Sequence, residues 1–199
     1  SPGTARRLSF AWGVRSVVTA DATNVEDMIE KAETVARAQG AAASGDRIVV
    51  TTMTAVGLWP QLSDTPLDFA YMPSAMGHAP ALGLGLALAH PERGVIVVNG
   101  DGSMLMSLGS LVTVANHPTN LFLIVTDNDL YEVTGGQPTA GSGHTDFAGL
   151  ARAAGFARVY AFEALDKWRE GAAEALSGQG PVMIWLKVEG KLGQSTPKP

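Results

Sequence analysis

The chain has 199 residues, with 14 Lys and Arg against 19 Asp and Glu, a net charge of −5, 23 Gly, 11 Pro and no Cys. The lack of cysteine excludes a disulfide framework, a thiolate nucleophile, zinc knuckles and iron–sulfur sites, and an acidic chain without a basic run is a poor binder of nucleic acid or anionic membrane. At 46% hydrophobic but 7% aromatic, the composition suits helices packed on a sheet through small side chains, in one domain or one and a half.

Ser1-Pro2-Gly3-Thr4 carries no apolar signal core and is given no targeting meaning. Val14–Thr19 is the first predicted strand. A helix follows, with Thr23 or Asn24 as cap, Glu26 and Asp27 in its first turn, and Val25, Met28, Ile29, Ala32, Val35 and Ala36 on one face. Gly40 stops it. Ile48–Thr52 is a predicted buried strand and Leu67–Tyr71 a weaker one. Ala79–Ala89 is a predicted buried helix; it ends at His90-Pro91, well short of the roughly 20 apolar residues of a membrane span. There follow strand Val95–Asn99, helix Met104–Asn116, strand Leu121–Thr126, a Gly-rich loop Gly135–Gly143, helix Phe147–Ala154, strand Arg158–Ala161, helix Leu165–Leu176 and strand Val182–Lys187. Residues 191–199 are polar and Pro-rich, a flexible tail. This alternation predicts an α/β protein, three-layer α/β/α with a mostly parallel sheet, because strands that are apolar throughout belong in a sheet covered on both faces. A soluble, cytoplasmic protein without membrane or nucleic-acid partners is the default expectation.

The chemistry concentrates at Gly100-Asp101-Gly102-Ser103, directly after strand Val95–Asn99 and before a helix. Ligands of open parallel sheets sit beyond the carboxyl ends of strands. Glycines there let the backbone approach a phosphate, and the next helix offers unpaired N–H groups. Asp101 would repel a bare phosphate, so its presence makes sense if a hard cation such as Mg²⁺ bridges the two. Asn128, just past strand Leu121–Thr126, is one helix and one strand further on. Two neighbouring strand tips can thus present Asp101, Asn128 and a loop carbonyl to one ion. No GKS or GKT follows a glycine-rich turn and no GxGxxG follows an early strand, which disfavours a P-loop and a dinucleotide site. A flavodoxin-like mononucleotide binder stays open.

In this pattern the sequence resembles the diphosphate-binding domain of thiamine-diphosphate-dependent enzymes, whose motif is GDG followed by Asn at this spacing. The resemblance covers 48–190. It implies thiamine diphosphate and Mg²⁺ as cofactors, with Asp101 and Asn128 as side-chain metal ligands and Leu130 giving its backbone carbonyl. It implies Gly100, Gly102 and Ser103 at the diphosphate, with Thr52 and Thr54 at the end of strand Ile48–Thr52 and Tyr131 nearby. Met76, before Gly77, matches the apolar residue that props the two cofactor rings, with backbone at Ser74 and Met76 on the aminopyrimidine. Tyr131–Thr139 looks most like the sulfopyruvate and phosphonopyruvate decarboxylase branch, which implies a small 2-oxo acid substrate. In the family the activating glutamate lies in a separate pyrimidine-binding domain. The resemblance therefore implies no catalytic residue here and a partner domain, subunit or second copy.

Residues 1–52, with Leu8–Val14, Asn24–Ala38 and Gly45–Thr51, resemble the C-terminal domain of pyruvate kinase instead. The two resemblances meet at Ile48–Thr52, as in a chimera that carries no kinase chemistry, and the alternative reading is an α/β chimera with no catalytic activity. Blander readings stand beside the sharp ones. GDG alone is most often a turn, Met76 alone is more often core, and the scattered His78, His90, His117 and His144 do not pair at metal spacing. Asp127 and Asp129 can simply shape a loop. Glu132 has the chemistry of a base, but the resemblance argues against that role.

Overall fold

The structure is a computed structural model that describes residues 47–61, 63, 65–73 and 75–190. The predicted strand 14–19, the helix 24–40, the tail 191–199 and Ser74 lie outside the described residues. Six strands build one sheet: β1 (Ile48–Thr51), β2 (Asp68–Ala70), β3 (Val95–Gly100), β4 (Leu121–Asp127), β7 (Arg158–Phe162) and β8 (Val182–Lys187). Their order is β2-β1-β3-β4-β8-β7, and every neighbouring pair is parallel. A short antiparallel hairpin, β5 (Leu130–Tyr131) with β6 (Gln137–Pro138), stands beside it.

Parallel pairing needs crossovers, and the helices that supply them cover both faces. Val49, Ile96, Val98, Phe122, Ile124 and Ile184 pack with Ala55 of α1 (Thr54–Leu58) and with Trp168, Ala172 and Ala175 of α6 (Leu165–Ala175). Their strand neighbours Val50, Val95, Val97, Leu123, Val125 and Met183 pack on the opposite face. There they meet α2 (Ala79–Ala89), α4 (Gly109–Ala115) and α5 (Phe147–Ala154). The two-residue period of the strands thus splits one apolar sequence into two cores, the expected three-layer α/β/α arrangement. A Cβ at Gly83 of α2 would fall on the Val97 side chain, so this glycine sets how closely helix and sheet approach. Among the described residues, no helix is long and apolar enough to cross a membrane.

The predicted helix 104–116 is two helices, α3 (Asp101–Leu105) and α4. Between them the bonds tighten to i→i−3: Met106 N–H to Ser103 O at 3.3 Å, Ser107 N–H to Met104 O at 3.0 Å and Ser110 N–H to Ser107 O at 3.0 Å. The Ser110 hydroxyl also donates to Ser107 O at 2.7 Å. Serines compete with the helix for backbone partners, and Gly109 adds little to hold it.

The chain leaves β1 toward β2 on one side and reaches β3 on the other, so the winding reverses between β1 and β3. The crevice beyond the carboxyl ends at such a reversal is where open α/β sheets take ligands.

Candidate functional site

A cleft of about 290 Å³ opens at that point. Its walls are the residues just past the tips of β1, β3 and β4, closed by Met76 and by Leu130–Thr134. Thr52, Thr54, Met76, Gly100, Asp101, Gly102, Ser103, Asn128, Leu130 and Tyr131, all singled out from the sequence, line this one cleft. Ser74 is outside the described residues.

Asp101 opens α3, which is only five residues long, so any anion here would rely on individual N–H groups more than on a helix dipole. The Asp101 side chain is buried at 2% exposure, and its Oδ2 has no hydrogen-bond partner. Burial pushes its pKa up to about 7, and the nearby Asp127 carboxylate adds to the rise, while the Gly102 N–H and the Thr139 hydroxyl oppose it. A buried carboxylate oxygen without a donor is costly, and a cation against it removes the cost. Asp101, Asn128 and Leu130 line the same cleft, and a carboxylate, an amide and a backbone carbonyl are a donor set of the kind Mg²⁺ takes. Among the described residues no group of three His, Cys, Asp or Glu is placed to hold a metal. The chemistry of the Asp101 carboxylate with neutral oxygens beside it suits a hard cation.

The backbone around it is shaped for a close approach. A Cβ at Gly102 would fall on the Tyr131 ring, which lies over this turn. Ser103 Oγ accepts the Gly77 N–H at 2.9 Å, so the Met76–Gly77 turn is tied to the Gly100–Ser103 turn. Gly77 has φ +85, a left-handed conformation that favours glycine. Across the mouth, the Thr54 hydroxyl donates to Glu132 Oε2 at 2.9 Å. Met53, also in the wall, has φ 54, a strained value of the sort that gathers at functional sites.

The loop after β4 carries Asn128 and Leu130. Asn128 Oδ1 accepts the Leu130 N–H at 2.9 Å, and Asp127 Oδ1 accepts the Asp129 N–H at 3.3 Å. Asp127 is also held through Oδ2 by Trp185 Nε1 at 3.0 Å and Lys187 Nζ at 3.1 Å. The sequence did not point to Lys187, Trp185, Thr126 or Thr139. The first two reach the loop because β8 lies beside β4, a pairing that local sequence does not encode. Thr126 and Thr139 carry no spacing signal at all.

Residues 47–186 match the family model described as "Thiamine pyrophosphate enzyme, C-terminal TPP binding domain", and residues 1–59 match "Pyruvate kinase, alpha/beta domain". A phosphonopyruvate decarboxylase of Streptomyces viridochromogenes is 46% identical over 119 residues, 59% of this chain and 30% of the relative. The sulfopyruvate decarboxylase subunit beta of Methanothermobacter thermautotrophicus is 40% identical over 129 residues, 64% of this chain and 65% of the relative. The chain thus spans less than two thirds of these relatives' lengths. In fold, a benzoylformate decarboxylase from Polynucleobacter necessarius superposes with a TM-score of 0.68 at 20% identity, over 85% of this chain and 34% of that one.

Proposed function

The chain belongs to the family of thiamine pyrophosphate enzyme C-terminal TPP-binding domains, and on that premise we propose that it binds thiamine diphosphate and Mg²⁺ as the diphosphate-binding half of a 2-oxo acid decarboxylase. The observation that carries this reading is the buried, unpartnered Oδ2 of Asp101 in a cleft with Asn128 and Leu130. When bound, the cofactor supplies an electron sink for loss of carbon dioxide from a 2-oxo acid. Asp101, the Asn128 amide oxygen and the Leu130 carbonyl hold the metal. Gly100, Gly102 and Ser103, with Thr52 and Thr54, receive the diphosphate. Met76 props the cofactor rings, and Tyr131 shields the diphosphate from water where it covers Gly102. A partner domain, a separate subunit or a second copy brings the pyrimidine-binding surface and the activating carboxylate. A relative named as a beta subunit supports such a division. The relatives' printed substrates support a small 2-oxo acid with a second anionic group.

Calorimetric titration with thiamine diphosphate, with and without Mg²⁺, tests the reading. Metal-dependent binding that disappears in Asp101→Ala and Asn128→Ala is expected. Decarboxylation of sulfopyruvate or phosphonopyruvate is expected only after a pyrimidine-binding subunit is added. No heat at millimolar cofactor in the presence of Mg²⁺ sinks the proposal. A second reading, a fusion of two α/β folds with no activity of its own, rests on the overlap of the two family matches over residues 47–59. It predicts that silent titration.

A further inference from the structure

The loop that carries Asn128 and Leu130 is held from outside as well as by its own two hydrogen bonds. Asp129 sits at φ 63, a left-handed conformation uncommon outside glycine, which Asp tolerates better than most residues and which contacts from outside the loop support here. Its supports are visible. Asp129 Oδ1 accepts the Gly143 N–H at 2.7 Å, and its backbone carbonyl accepts the Thr139 N–H at 2.8 Å. Its Oδ2 takes Lys187 Nζ at 2.6 Å, and the same ammonium reaches Asp127 Oδ2 at 3.1 Å. Lys187 thereby spans the residues on either side of Asn128. Its own position is fixed by the sheet, since it is the β8 residue paired in register with Asp127. The chain beyond β8 keeps to the same loop: the Val188 N–H donates to Asp127 O at 2.9 Å, and a Cβ on Gly190 would lie 2.8 Å from Asn128 O.

Charge adds a second reason for the lysine. Asp127 is buried at 3% exposure and interacts directly with Asp101. A second buried carboxylate beside an ion-binding one needs a countercharge, and the Lys187 ammonium supplies it. Resting on the reading of the cleft given above, we propose that Lys187 is a positioning residue for the Mg²⁺–diphosphate site: its ammonium clamps Asp127 and Asp129 around Asn128 and so holds the ligand loop in its coordinating shape. Lys187 touches neither metal nor cofactor in this proposal. It acts through the loop, as outer partners of metal ligands generally do.

The test is the Mg²⁺ concentration that half-saturates thiamine diphosphate binding, read by calorimetry on the full chain beside the thermal midpoint of the metal-free protein. Lys187→Met is expected to raise that concentration about 10- to 100-fold, the usual cost of losing an outer-shell partner. Lys187→Arg, which keeps the charge and can still reach both aspartates, is expected to recover most of the affinity. Lys167→Met removes a lysine from an exposed pair with Glu170 and is expected to change nothing. A folded Lys187→Met with unchanged Mg²⁺ dependence overturns the proposal, whatever its thermal midpoint, because a purely structural lysine would move the midpoint alone. Should Lys187→Met not fold, Asp129→Asn weakens one arm of the clamp, and unchanged Mg²⁺ dependence in that variant overturns the proposal equally. A wild-type chain with no Mg²⁺-dependent heat overturns the functional reading and this inference together, a result distinguishable before any variant is made.

Discussion

Ser103 and Gly77 meet in a buried hydrogen bond: the Gly77 N–H donates to the Ser103 hydroxyl oxygen at 2.9 Å. The contact joins two parts of the cleft wall that arise from different connections, the Met76 turn before α2 and the Gly100–Ser103 turn after β3. A Cβ on Gly77 would lie 2.9 Å from the Ser107 Cβ, and φ +85 disfavours any L side chain there. Gly77→Ala is therefore expected to cost about 1–3 kcal/mol, a strained-backbone penalty, measured by urea denaturation. Ser103→Ala strands a buried N–H and is expected to cost a similar ~1–3 kcal/mol. A variant as stable as wild type at either position contradicts this coupling.

Gly102→Ala places its methyl on the Tyr131 ring. Either the ring swings off the turn or the turn shifts, and both open the cleft where the diphosphate is proposed to sit. The expectation is a loss of cofactor affinity of about tenfold or more, about 1.4 kcal/mol. Tyr131→Ala in the same chain should relieve the clash and return the thermal midpoint toward that of Tyr131→Ala alone. A single variant that binds like wild type would show that the turn has room the structure denies it.

Asp101 gives the metal-free chain a pH signature. Its folded pKa, pushed up to about 7 by burial, stands above the ordinary value of 3.8. Between those values the folded state binds the proton that the unfolded state has released, so this group's contribution falls as pH rises from about 4 through 7. Above pH 7 the buried charge is a full penalty. In chelator, Asp101→Asn should thus melt higher than wild type at pH 8, with the gap closing toward pH 4. Saturating Mg²⁺ should raise the wild-type midpoint at pH 8 and leave the variant unmoved. Equal melting curves at pH 8 in chelator would remove Asp101 from its role as a buried, uncompensated carboxylate.

Gly83→Val tests the scaffold apart from the site. Its side chain would collide with Val97 beneath α2, and overpacking of this kind typically costs about 1–3 kcal/mol. Because Gly83 faces the core rather than the cleft, the folded fraction should keep its Mg²⁺ dependence. Denaturant titration together with calorimetry separates the two effects, and an altered metal dependence would mean that α2 transmits strain to the strand tips.

Much of this was legible because buried parallel strands and helix punctuation are local signals. Val95–Asn99 and Leu121–Thr126 read as strands from their largely apolar runs, each one residue short of the strand that forms, and α2 begins and ends where its apolar stretch does. The convergence of Asp101 and Asn128 was legible too, since one helix and one strand between them place both at neighbouring tips of a parallel sheet. The break between α3 and α4 was not, because apolar residues continue across it and the cause is a set of serine hydrogen bonds. α1 and the β5–β6 hairpin are too short for a period to declare itself. Lys187 was hidden for a different reason. It closes the strand VMIWLK like any solvated end residue, and its meaning depends on β8 slotting between β4 and β7.

That slot has a consequence for how the protein is made. On the ribosome β7 emerges before β8 but can join the sheet only through it. Until β8 is translated, β4 has an open flank, and the loop bearing Asn128 lacks Trp185 and Lys187 as anchors. Parallel pairing over such separations is slow compared with helix formation. A nascent chain can therefore begin both cores on its early strands while the loop bearing Asn128 is still untethered. The anchoring of that loop arrives last, and with it, on the function proposed above, the competence to hold a metal.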